Sequence, residues 1–473
     1  MNGKFTLFKE VLKITAIALV LSLCLFADSH VFETHGMISF ILHELTGILI
    51  NPLTQWMIIL CVIVYLLTFI LLQQRINGLR FCRAANPNFW LTGLLFLGAL
   101  DYTFNYYTAA QSAMSLMLLT GVALNLGMSV TLLKQSRDDA RYLTCLIESI
   151  LVLLLLISSL WSTSDSGSHY FEYRGHTRWS GLWDNPNIYA LLMGSGFLLA
   201  LGLAVRIWKS GDKKSKMGDR SSKFGVNKYV IVILPLLAAS LMARALMHSY
   251  SRGAWLAAFC GLVYLVFQTK KDLNCLQNHI LRWVRTHGTS AIIIVCAITV
   301  FIFWQCQQQQ HLIAKRAASI VNMNDFSWRN RVFAWKGALQ IIAEHPWFGT
   351  GWGQAKLMYE HYYLPSKLNE AAAIAMNDYL MLGATLGIPA LFCLGMYLWL
   401  SLTQKARIGN GESLSKEADW HQTACRASAI VLLIGFWFDG GLFILPTAAI
   451  FWIVMGLGST KLSAVEDTVS QSG

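Results

Sequence analysis

The sequence predicts an all-α integral membrane protein with about twelve transmembrane helices and one large outer loop between helices 9 and 10. Three observations predict it. The 473 residues are 55% hydrophobic and only 13% charged, against about 25% charged in soluble domains. Apolar runs of roughly 20 residues, enough to cross a bilayer core of about 30 Å, recur along the chain. Between them lie short segments that hold almost all the Lys and Arg, on one side of the membrane once the runs are threaded in order.

The runs place spans at 10–27, 55–73, 88–105, 109–132, 142–161, 187–207, 229–248, 253–268, 289–306, 377–402, 426–441 and 443–458. The first begins with Lys4, Lys9 and Lys13, like a signal peptide. Ala27-Asp28-Ser29 is a poor cleavage site, and many spans follow, so it reads as a retained helix. The apolar stretch 37–50 is too short to cross. Treating it as an outer interfacial piece puts Arg75, Arg80 and Arg83 inside.

With that choice the basic loops at 74–86, 134–141, 209–228, 270–285 and 405–407 all face the cytoplasm, as do both termini. The net charge of +12 therefore reports orientation and gives no sign of a nucleic-acid partner. The ten cysteines lie mainly in apolar runs or basic loops, so no disulfide framework is expected. No Cys/His spacing suits a metal, and no cofactor is expected.

Outside, two segments are long: 163–186 and 307–375. In the second, Val332, Trp335, Leu339 and Ile342 recur at helical spacing after a cap at Asp325 or Ser327. Basic Arg329, Arg331 and Lys336 beside that apolar stripe describe a helix lying in the membrane interface. His345-Pro346 should end it, and Gly349-Thr350-Gly351-Trp352-Gly353 should turn the chain. That glycine run lacks the Lys of a phosphate loop.

Outward arginines are the first candidates for chemistry: Arg178, Arg252, Arg329 and Arg331. A guanidinium is permanently charged, and its planar fork suits phosphate oxygens. The bland alternative is that they snorkel beside interfacial tryptophans. Ionisable residues inside spans are the second set: Asp101, Glu148, Arg244 and Asp439. Such groups pair with one another or line a polar site. Arg244 either shares a face with Arg252 or forms an ion pair, for instance with Asp439. His361, in the outer loop beside Glu360, is either a base or a polar surface group.

Four stretches, in order, resemble the O-antigen ligase and O-antigen polymerase superfamily of bacterial polysaccharide enzymes. They are 178–187 with Asn185-Pro186-Asn187; Ser251-Arg252-Gly253-Ala254-Trp255; Arg331-Val332-Phe333-Ala334-Trp335 followed by 344–351; and Asn377-Asp378-Tyr379-Leu380 with Leu386-Gly387-Ile388-Pro389. The resemblance implies a glycosyltransferase of the bacterial inner membrane with its active site facing the periplasm. Its donor would be an undecaprenyl-pyrophosphate-linked glycan and its acceptor a glycolipid or another glycan chain, without metal. It implies that Arg252 and Arg331 hold the pyrophosphate leaving group. The 178–187 segment, with Arg178, Asn185 and Asn187, would shape the outer cavity; Arg244, Arg329 and Asn377 are added as substrate-binding candidates from their own positions in the chain.

One departure stands out. The family has a His just before the Asn-x-Tyr-Leu element, and this chain has Met376 there. A thioether cannot take a proton at neutral pH, so a substitute base is expected from 359–378, with His361, Glu360 and Asp378 as candidates; the alternative is catalysis by leaving-group stabilisation alone, with the base dispensable. The rival class is a two-half secondary transporter of twelve spans, which would show related halves and short outer loops; a third reading, which Met376 keeps open, is an inactive scaffold with the family fold.

Overall fold

The computed structural model describes residues 13–22, 25, 86–104, 118, 121–122, 124–126, 128, 137–161, 172–173, 176–183, 185–216, 228–268, 326–365, 377–403 and 415–459. The expected spans 55–73 and 289–306 lie outside these residues, as do the loops 270–285 and 405–407 and the residue Met376. The described chain is helical throughout, apart from one small hairpin.

In chain order the helices are α1 (Lys13–Ser22), α2 (Pro87–Phe104), α3 (Arg137–Ser159), α4 (Pro186–Lys216) and α5 (Lys228–His248). Next come α6 (Arg252–Gln268), α7 (Phe326–Glu344), the short α8 (Gln354–Met358) and a π-helical turn, Tyr359–Tyr363. Then follow α9 (Asp378–Thr403), α10 (Ser415–Phe438) and α11 (Leu445–Ser459). The hairpin joins β1 (Glu172–Tyr173) to β2 (His176–Thr177), antiparallel, with Glu172 opposite Thr177. It interrupts the expected all-helical pattern inside the outer segment 163–186.

Three stretches are long and apolar enough to cross a membrane: Tyr142–Ser159, Pro186–Ile207 and Asp378–Thr403. Four shorter apolar helices accompany them, Lys13–Ser22, Val232–His248, Arg252–Gln268 and Leu445–Ser459. The bundle closes round α4, whose apolar part is 83% buried, as expected of a helix that is hydrophobic on all sides. It packs against α3, α5 and α10. On the seam with α10, Ser195 and Ser428 share a hydrogen bond, a short polar contact of the kind that joins membrane helices. α11 is buried from Pro446 to Gly458, and Asn125 reaches its Trp452 carbonyl at 2.8 Å.

Two elements depart from the expected spans. α4 runs to Lys216, well past 207, so the first part of the basic segment 209–228 continues the helix. α9 is two helical pieces, because Gly387 sits at φ 81, ψ −180.

That break has a local cause. Pro389 has no N–H, so Thr385 O loses its intrahelical partner. Ile388 N donates instead to Pro346 O at 2.7 Å, which releases Ala384 O as well. The loop after α7 fills both vacancies: Thr350 N donates to Ala384 O at 2.9 Å and Gly351 N to Thr385 O at 3.0 Å. The two late sequence stretches, 344–351 and 386–389, are thus one backbone interlock. Trp352 extends it to α2, its N–H meeting Asp101 Oδ2 at 3.1 Å and its indole meeting Gly98 O at 3.2 Å.

α7 spans Phe326–Glu344 and stops at His345-Pro346, as its sequence requires. Its face of Ala334, Ala338, Ile341 and Ile342 forms a second small core with Ala355, Tyr359, Met381 and Ala384. Arg329, Phe333, Lys336 and Leu339 stay exposed.

Candidate active site

Four stretches converge where α4, α6, α9 and α10 have their outward ends in the expected topology. The first is the approach to α4. Asn185 caps that helix, its Oδ1 accepting the Asn187 N–H at 2.9 Å, with Pro186 as the first helical residue. Asn187 Oδ1 in turn accepts from the Arg178 guanidinium at 2.7 Å, and Arg178 Nε donates to Ser249 O at 2.8 Å. The planar fork therefore ties 178–187 to the corner between α5 and α6.

That corner is tight. Tyr250 is buried and takes a left-handed backbone, φ 51, which is uncommon for a bulky residue and signals local strain. Ser249 Oγ donates to Leu246 O at 2.6 Å, and Ser251 Oγ accepts the Ala254 N–H at 3.4 Å as the cap of α6. Arg252 is the first residue of α6, where the helix end adds its own partial positive charge.

α10 ends at Phe438, and Asp439 follows in the turn. Its Oδ1 pairs with Arg331 of α7 at 2.9 Å, while Arg331 Nε donates to Phe438 O at 2.9 Å. Its Oδ2 accepts the Ser251 hydroxyl at 3.2 Å. One carboxylate thus holds both arginine stretches, 251–255 and 331–335, in register. Gly253 is required for that approach: a Cβ there would lie 2.5 Å from Asp439 Oδ2.

α9 enters beside them. Asn377 is its cap, with Oδ1 accepting the Leu380 N–H at 3.0 Å. Asp378 is buried, and its Oδ2 accepts the Leu442 N–H at 2.7 Å. Asp378 therefore fastens α9 to the glycine turn after Asp439. An aromatic row closes the wall: Trp328 against Trp335 at 5.6 Å, Trp335 against Trp437 at 5.8 Å, and Trp437 against Tyr379 at 5.9 Å.

Of the two readings of Arg244, the ion pair with Asp439 is not formed, because that carboxylate is taken by Arg331 and Ser251. Arg244 lies one turn below the end of α5, with its guanidinium 5.2 Å from the Trp179 ring centre. Trp179 is itself stacked on His248 at 4.4 Å. Glu148 belongs elsewhere, contacting Arg206 at 3.5 Å and His421 at 2.7 Å, where it braces α3, α4 and α10.

His361 lies in the π-helical turn, exposed, with Tyr362 as a ring neighbour. That turn rests on α7 through Tyr359, and the Tyr363 hydroxyl donates to Glu344. The same bond to Glu344 pushes the Tyr363 phenol up to about 12. Arg329 is exposed on α7.

Residues 237–395 match the family model described as O-antigen ligase. Over that stretch the chain is similar to the O-antigen ligase family. This bears out the resemblance read from the four stretches. The matched region begins within α5, takes in Arg244, Arg252 and Arg331, and ends in α9. The 178–187 segment and Asp439 lie outside it, yet the structure brings both onto the same corner. No curated protein matches the chain.

The residue that sequence reasoning passed over as part of the site is Asp439. Its signal was there: an Asp at the end of an apolar run, followed by Gly440-Gly441. What the sequence lacked was the partner.

Proposed function

We propose that this O-antigen ligase-like protein, a twelve-span enzyme of the bacterial inner membrane, transfers a glycan from undecaprenyl pyrophosphate to an acceptor at the periplasmic face. The observation that carries this reading is the Arg331–Asp439–Ser251 chain, which fixes Arg331 beside the start of α6 and so beside Arg252. Two positioned arginines at a helix N-terminus suit one task above others: stabilising a departing pyrophosphate.

In the proposed reaction an acceptor hydroxyl attacks the anomeric carbon of the donor glycan. The new C–O bond forms as the bond to the pyrophosphate breaks, and the leaving group departs as a charged carrier lipid facing Arg252 and Arg331. No metal is needed for that step, since the guanidinium charges serve the leaving oxygens. The acceptor proton passes to a base from 359–378. The exposed side chains of His361 and Glu360 are favoured over Asp378, which already accepts a backbone N–H at 2.7 Å and is buried. Arg178, Asn185, Asn187, Arg329 and Asn377 shape and line the site.

A polymerase of the same superfamily would share this chemistry and differ in acceptor. The two are separated by deleting the gene in its host and analysing surface glycolipids and carrier-linked glycans together. Long polymer stranded on the carrier, with bare lipid A-core, marks a ligase; single repeat units stranded there mark a polymerase. Full rescue by both Arg252→Ala and Arg331→Ala would overturn the enzyme reading and leave the transporter or an inactive scaffold as its replacement.

A further inference from the structure

Among the ionisable groups of the outward half, Arg244 is anomalous. Asp439 compensates Arg331 at 2.9 Å. Arg178 spends its fork on Ser249 O and Asn187. Arg244, in contrast, has no acid partner among the described residues, and its Nε is buried without an acceptor. Its neighbours are the flat face of Trp179 and the phenol of Tyr189. A buried guanidinium nitrogen with an unmet donor is costly, and such a group persists in membrane helices chiefly where it meets a ligand or a polar site.

Its placement is equally specific. Arg244 is one turn, about 6 Å, below the end of α5, and the tight corner 249–251 returns the chain at once to Arg252. Trp179 is anchored from two directions, by its N–H to His248 O at 3.1 Å and by its stacking on the His248 ring. The guanidinium plane therefore lies against a fixed plate, with its orientation restricted before any ligand arrives.

From this geometry we infer that Arg244 is a direct anion-binding residue of the site, taking a phosphate of the carrier pyrophosphate together with Arg252. Arg331, its charge balanced by Asp439, is then first of all the residue that positions the Ser251-Arg252 corner. The inference rests on the transferase reading above and assigns it a third arginine, with Trp179 as the plate that orients it.

The test uses the full-length protein in nanodiscs of zwitterionic lipid, with inorganic pyrophosphate as the probe and calorimetry as the readout. Arg244→Gln should weaken pyrophosphate binding by roughly 10- to 100-fold, the scale of one charge-assisted contact. Arg244→Lys should restore part of it, and Trp179→Ala should weaken binding with the arginine still in place. Both Arg244 variants should melt close to wild type, which separates lost binding from lost folding.

Wild-type affinity in Arg244→Gln would overturn the assignment while leaving the transferase reading intact. Absence of pyrophosphate binding by the wild type would overturn both. A last arm adds phosphatidylglycerol to the nanodiscs. If that lipid, but not pyrophosphate, stabilises wild type over Arg244→Gln, the residue binds a lipid headgroup and the inference falls.

Discussion

Asp439 Oδ1 lies 2.9 Å from the Arg331 guanidinium, and the same carboxylate takes the Ser251 hydroxyl on its other oxygen at 3.2 Å. Removing one member of a buried pair leaves the other charged and unpaired, at about 3–5 kcal/mol. Asp439→Ala should therefore lower the thermal stability markedly and abolish transfer. Arg331→Gln combined with Asp439→Ala should recover stability relative to either single change, with transfer still absent. Melting curves and a transfer assay on the four proteins form a double-mutant cycle. Equal stability of Asp439→Ala and wild type would show that the pair does not hold the corner.

Gly253 offers a finer probe of the same corner. Inside a helix, Gly→Ala ordinarily stabilises by about 0.5–1 kcal/mol. Here the new methyl would stand 2.5 Å from Asp439 Oδ2 and 3.1 Å from Phe438 Cβ, so the carboxylate has to move. Stability should change little while transfer falls roughly 10- to 100-fold, the usual consequence of displacing a positioned group by a fraction of an ångström. Unchanged transfer in Gly253→Ala would mean that the Asp439 position is not critical.

Much of this fold could be read in advance, and the reasons differ by element. The apolar runs of α3, α4 and α9 announce themselves because a bilayer demands length and hydrophobicity at once. The end of α7 at His345-Pro346 follows from proline's missing donor. The break at Gly387 was harder, since Pro389 inside an apolar run signals a kink but not what would fill the vacated carbonyls. The site divides in the same way. Arg252 and Arg331 stood out through their motifs, whereas the Arg331–Asp439 contact joins residues 108 positions apart, and no local pattern encodes such a pairing. Asn377 and Asp378 were read as substrate-side groups, and the structure shows their carbonyl and carboxylate oxygens capping α9 and holding Leu442.

The interlock between 344–351 and 386–389 should be intolerant of change. At Gly387, φ 81 is a region that side chains avoid, and a Cβ would stand 2.5 Å from Trp347 O. Gly387→Ala should destabilise the protein by about 1–3 kcal/mol from backbone strain alone, and by more from the collision. Chemical denaturation in detergent would measure it. A neutral result would mean that the loop and α9 move independently of each other.

The segment that carries His361 has its own fastening, the Tyr363 hydroxyl on Glu344. That bond favours the protonated phenol, which raises its pKa from the usual 10 to about 12. A raised value for an acid means the folded protein holds a proton that the unfolded chain has released. The contribution is complete below pH 10 and is lost progressively as pH climbs from 10 to about 12. Tyr363→Phe should lower the melting temperature modestly at pH 7, where the contribution is complete, and the difference from wild type should close as pH climbs from 10 to about 12. If His361 is the base, freeing the 359–363 turn should also reduce transfer at pH 7 several-fold, with the donor KM unaltered. Transfer by Tyr363→Phe and His361→Ala both at the wild-type rate would remove this turn from the chemistry.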